Sequence, residues 1–220
     1  MTATYKTSSQ LEPLSRAVRT VDRWGLVAGV TGVLGNVLLA VLLTTPADGP
    51  YAWTGPANDV IGVVSTLAII PVVAGLLTVC GNRPGLGAIT ALAIVALGAM
   101  AAVELAFVLG LVPFAAEVDG TFAGLIVVFG WLFAASRAGR TSGRLPRQVA
   151  SCGLALGAAG LAGAVLLAAS VPAPAHSLAH AITFGAGALI SGPVYAAFPV
   201  WLIVLSGRLP GHAGSPGQLV

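Results

Sequence analysis

Six long apolar runs limit what this chain can fold into: Trp24–Leu43, Val60–Cys80, Leu86–Val112, Thr121–Ser136, Val149–Ser170 and Ile182–Leu205. At about 1.5 Å of rise per residue, each run crosses or nearly crosses a hydrocarbon layer about 30 Å thick, the fourth being the shortest. A spanning β-strand would need only about ten residues and would alternate in polarity, which none of the six does. The chain is 57% hydrophobic and 8% charged, against about 45–50% and about 25% in soluble domains. That balance excludes a water-soluble domain, and it is the reverse of the polar, highly charged composition that keeps a chain disordered. The expected fold class is all-α: a polytopic membrane bundle of six helices over residues 24–206, flanked by tails over 1–23 and 207–220.

The charges orient this bundle. Lys6, Arg16, Arg19 and Arg23 precede the first run, Arg83 follows the second, Arg137, Arg140, Arg144 and Arg147 lie between the fourth and fifth, and Arg208 follows the sixth. With six crossings, all of these fall on one side. Asp48, Asp59, Glu117, Asp119, His176 and His180 fall on the other. The positive-inside rule therefore predicts both termini in the cytoplasm and a multi-pass protein of a bacterial inner or plasma membrane. A net charge of +3 follows from this topology and gives no reason to expect nucleic-acid binding. The first run is about 20 residues, beyond the 7–15 of a signal-peptide core, and Leu43-Thr44-Thr45-Pro46 offers no small-x-small site, so cleavage is not expected.

Packing signals are plain. Gly29, Gly32 and Gly35 in the first run, and Gly153, Gly157, Gly160 and Gly163 in the fifth, recur at helical spacing and allow close backbone approach in lipid. Pro71, Pro193 and Pro199 interrupt the second and sixth runs, where each frees a carbonyl and bends the helix. Cys80 and Cys152 sit at the basic ends of their helices, so no disulfide is expected. The segment from His212 onward reads as flexible linker.

Polar groups at membrane depth carry the functional signal, because an ionisable side chain in hydrocarbon is costly. Glu104 stands alone in Gly98-Ala-Met-Ala-Ala-Val-Glu-Leu-Ala-Phe, with no cation on its span, which suits a neutral carboxyl able to donate a proton. Asp59 opens the second run in Pro56-Ala-Asn-Asp, where a helix-capping role competes with a functional one. Asn36, Ser65, Thr66, Thr183 and Ser191 lie at a depth comparable with Glu104, and Tyr51, Trp53 and Asn58, itself a possible helix cap, stand just before Asp59. Together they predict a polar-lined pocket in the outer half of the membrane. No Gly-x-Ser-x-Gly elbow, phosphate-binding loop, Asp-rich diphosphate motif or zinc pair is present, so no metal and no cofactor is expected. Proton-initiated chemistry needs only an acid and aromatic walls, for which Trp53, Phe107, Phe122, Trp131, Phe184, Tyr195 and Phe198 are candidates.

In size, in multi-span architecture and in its acids, Asp59 at the start of the second span and Glu104 deep in a later one, the chain resembles the small integral-membrane terpene cyclases. That resemblance implies protonation of an alkene or epoxide of a farnesyl-type chain, followed by carbocation ring closure, with Glu104 and Asp59 as proton donors or relays. The substrate would be a hydrophobic isoprenoid-like molecule arriving through the bilayer. The alternative is a transporter or substrate-binding membrane component for a small hydrophobic or vitamin-like solute, which six glycine-rich, proline-kinked spans would also suit.

Overall fold

The computed structural model describes residues 11–46, 49–81, 83–174 and 177–209. Lys6, Asp48, His176, His212 and the expected linker beyond residue 209 lie outside the described residues. Six helices follow one another: α1 (Leu11–Thr44), α2 (Thr54–Cys80), α3 (Pro84–Val108), α4 (Phe114–Thr141), α5 (Arg147–Ser170) and α6 (Leu178–Arg208). All six are long and apolar enough to span a membrane, and no strand occurs among the described residues. Each helix packs on its chain neighbours, α6 closes on α1, and α2 touches α4 across the interior. The result is a closed ring of alternating up and down helices. The end holding Leu11, Arg208 and the α2–α3 and α4–α5 connections is called proximal below. The end holding the other three connections is distal.

The helices outrun the apolar stretches in informative places. Leu11–Thr44 has 34 residues, about 51 Å of helix at 1.5 Å per residue, so α1 projects well beyond a hydrocarbon layer of about 30 Å. Its first turns carry Glu12, Arg16 and Arg19, with Arg16 donating to Glu12 at 3.0 Å. Hydropathy could not find this arm because it is charged. The fourth helix, expected over Thr121–Ser136, has 28 residues and starts at Phe114. Glu117 and Asp119 break the apolar run without breaking the helix. Likewise α2 begins at Thr54 after Trp53, so Asp59 lies a turn and a half inside it and is no helix cap.

The core occupies the proximal half. Trp131 is 1% exposed and its indole N–H donates to Thr90 Oγ1 on α3 at 3.2 Å. Trp201 donates to the Val149 carbonyl of α5 at 2.9 Å, and its ring stacks on Phe198 at 6.0 Å. With no water to drive helices together inside a bilayer, close packing and such interhelical hydrogen bonds hold the bundle. Glycine permits the closest approaches. A Cβ on Gly157 would stand 2.6 Å from the Phe133 backbone nitrogen of α4, and one on Gly29 would stand 2.7 Å from the Pro199 carbonyl of α6. Cys80 is buried, with its thiol on the Ala135 carbonyl at 3.6 Å, whereas Cys152 lies on an exposed face. All the described arginines lie at the proximal end, where Arg144 reaches the Val79 carbonyl at 3.3 Å and Arg208 donates to Gln148 at 2.6 Å.

Candidate functional site

The distal half encloses a cavity of about 230 Å³ walled by α1, α2, α3, α4 and α6. Each wall is one helical stripe. On α2 it runs Asn58, Ile61, Gly62, Ser65, Thr66, Ile69, the i, i+3, i+4, i+7 spacing of a single face. On α4 it runs Glu117, Thr121, Leu125, Val128, Phe129; α1 adds Thr31, Gly32, Gly35, Asn36 and Leu39; α3 adds Leu97, Met100 and Glu104; α6 adds Tyr195, Phe198 and Pro199. Polarity is graded along these stripes. Asn58, Glu104 and Glu117 stand within about one turn of the distal helix ends, and Ile69, Leu97, Val128, Phe129 and Phe198 form the floor towards the bundle centre.

The carboxyls gather at the mouth. Glu104 is four residues before the end of α3, Glu117 is three after the start of α4, and Asp59 is five after the start of α2. The three are half-buried and lie within coulombic reach of one another. The sequence reading set Asp59 at the mouth and Glu104 deep in the membrane; the helix boundaries put both at nearly one level. Among the described residues nothing hydrogen-bonds the Glu104 carboxyl, which rests on the bare backbone of Gly62, where any Cβ would collide with its Oε1. Glu117 accepts from Thr121 Oγ1 at 3.1 Å. Asp59 stands beside the cavity and is absent from its walls; its neighbour Asn58 faces inward.

A proline organises the α1–α6 wall. Pro199 has no N–H for the carbonyl of Tyr195 four residues earlier, and Asn36 Nδ2 of α1 donates to that carbonyl instead at 3.2 Å. The Pro199 ring meanwhile packs where a Cβ on Gly32 would stand, 2.8 Å from its Cγ. Below it, Phe129 and Phe198 meet edge to face at 6.0 Å and 72°. Pro71 and Pro193 contribute no wall to the cavity.

Of the residues singled out from sequence, the structure brings Asn36, Asn58, Glu104, Tyr195 and Phe198 to this cavity, with Ser65 and Thr66. Tyr51 and Trp53 lie exposed in the turn before α2, and Phe184 stacks on His180 at 5.7 Å near the start of α6. Phe107 pairs with Phe114 across the α3–α4 connection. Phe122 is half-buried on α4 away from the walls, and Trp131 belongs to the packed core. Ser191 turns its hydroxyl into the α5 seam, against Gly163. Sequence reasoning passed over Glu117, which it only counted among the acids opposite the arginines, and Phe129. The available signal was their phase, since Glu117, Thr121, Leu125 and Val128–Phe129 follow one helical stripe once α4 starts at Phe114.

What the walls can do follows from their chemistry. Two or three carboxyls at the mouth can exchange protons with water at the distal surface, and an apolar, partly aromatic floor can hold an oily segment dry. Comparisons with protein-family models, with characterised proteins and with solved structures find nothing that matches this chain.

Proposed function

We propose that the distal cavity is an intramembrane acid site that cyclises a linear isoprenoid chain. The observation that carries the reading is the pairing of Glu104 and Glu117 at the mouth with Phe129, Phe198 and Tyr195 along the same cavity. A neutral carboxyl transfers its proton to one carbon of an alkene, or to an epoxide oxygen, leaving a carboxylate and a carbocation. The next π bond of the chain closes on that cation, and loss of a proton to a carboxylate of the collar restores the acid. The sum is an isomerisation, so no co-reactant is consumed. Aromatic faces support the cation in between, at about 2 kcal/mol or more per contact in a dry site. Substrate enters from the bilayer of the cell membrane, which the apolar outer faces of the helices adjoin.

Purified protein in nanodiscs, given a linear farnesylated indole, is expected to form a cyclised product of unchanged mass. Glu104→Gln should lower turnover about 10²- to 10⁴-fold, the usual contribution of a positioned general acid. Unchanged turnover in both Glu104→Gln and Glu117→Gln would refute the acid mechanism. A second reading, solute binding or transport, is supported by the sparse packing of the distal half around the cavity. Uptake into proteoliposomes that returns the solute chemically unaltered would favour it over the enzyme.

A further inference from the structure

The hydrogen-bonding groups of the cavity wall are lopsided, and the imbalance names the ligand's polar end. Four donors that line it are engaged within the protein: Asn36 Nδ2 on the Tyr195 carbonyl at 3.2 Å, Ser65 Oγ on the Ala28 carbonyl at 3.2 Å, Thr31 Oγ1 on the Val27 carbonyl at 2.8 Å and Thr121 Oγ1 on Glu117 at 3.1 Å. What the wall still offers at the mouth are the carboxyl oxygens of Glu104 and Glu117. The remaining donors are neutral, the Asn58 amide and the hydroxyls of Thr66 and Tyr195. Among the described residues no Lys, Arg or His lines the cavity. An anionic head would enter a half-buried collar of acids with no cation to pair it, at a desolvation cost that neutral donors do not offset.

We infer that the site takes a single-chain amphiphile whose head donates hydrogen bonds and carries no negative charge, an alcohol or an amine, with the head at Glu104 and Glu117 and the chain running down to Phe129 and Phe198. At about 230 Å³ the cavity is smaller than the roughly 300–1,000 Å³ of pockets for drug-sized ligands, which limits it to one slender molecule or one end of a longer chain. The inference rests on the site of the preceding reading, keeps only the alkene nearest the head within reach of the two carboxyls, and excludes a prenyl diphosphate as the ligand, whatever reaction follows.

The test is equilibrium binding to the full chain in nanodiscs, with empty nanodiscs as the blank, using three probes of one chain length: farnesol, farnesylamine and farnesyl diphosphate. Farnesylamine and farnesol are expected to saturate one site per protein, and the diphosphate to compete with neither. Glu104→Gln and Glu117→Gln keep the shape of the side chain. Each should weaken the amine about 10- to 100-fold, the value of a hydrogen bond to a charged group, and the alcohol by less than about tenfold. Each variant is first shown to keep the parent's elution volume and melting temperature. Diphosphate binding as tight as the amine's, no binding by any probe, or amine binding unchanged in both variants would overturn the inference. The expected binding pattern without any cyclised product would refute the cyclase reading alone and leave this one standing.

Discussion

The two halves of the bundle solve opposite problems with the same helices. In the proximal half α2 is buried at Ala68, Ile69, Val72, Val73, Leu76, Val79 and Cys80, and α4 at Phe129, Trp131, Leu132 and Ala135. In the distal half α1 has no buried residue after Gly29, α4 has none before Gly124, and α2 has none between Thr54 and Ala68. α3, α5 and α6 keep buried positions over most of their length, α6 with Gly187 alone in its distal half. Packing is therefore concentrated at one end, and the other end holds its helices apart around polar groups. The contrast puts the close packing in the proximal half and the candidate site in the distal one.

Mutations should separate the halves by size of effect. Trp131→Ala removes the largest fully buried side chain and its bond to Thr90, and is expected to cost about 3–5 kcal/mol, read as a loss of thermal stability in detergent. Asn36→Leu leaves the Tyr195 carbonyl without its donor beside a cavity and should cost about 1–3 kcal/mol in the same assay. Gly62→Ala asks only the end of a flexible side chain to move, so about 1 kcal/mol or less of stability is at stake; yet it displaces Glu104 and should weaken farnesylamine binding as Glu104→Gln does. Leu34→Ala, on the exposed outer face of α1, should change stability by less than about 0.5 kcal/mol. If Trp131→Ala and Leu34→Ala proved equally mild, the contrast between the halves would fail. If Gly62→Ala unfolded the protein, the distal half would be carrying stability as well.

The six helices were legible because lipid requires long apolar stretches, and hydropathy measures those directly. Which face of each helix turns inward was not. In α2 and α3 apolar residues cover every side, since both the lipid and the protein interior accept them, and the helical period that marks a core face in water is lost. Polar residues restore the phase where they occur, which is why Asn36, Asn58 and Glu104 could be placed on a common site from sequence. Glu117 was left out of the site for the same reason in reverse: an acid ends an apolar run, so the fourth span was expected only from Thr121 although α4 starts at Phe114. Trp131 and Phe129 are nearly adjacent in the chain and both join the core, yet Phe129 alone of the two also lines the cavity. No composition rule distinguishes them without the starting point of α4.

The bare backbone at Gly62 bears on α2 and α3 as a pair. Sliding one helix along the other by a single residue, about 1.5 Å and a rotation of about 100°, would bring Ile61 or Val63 opposite the carboxyl in place of glycine. Glu104 and Gly62 therefore act as a key and its notch, and the acid at the cavity mouth also records the register in which its two helices must meet.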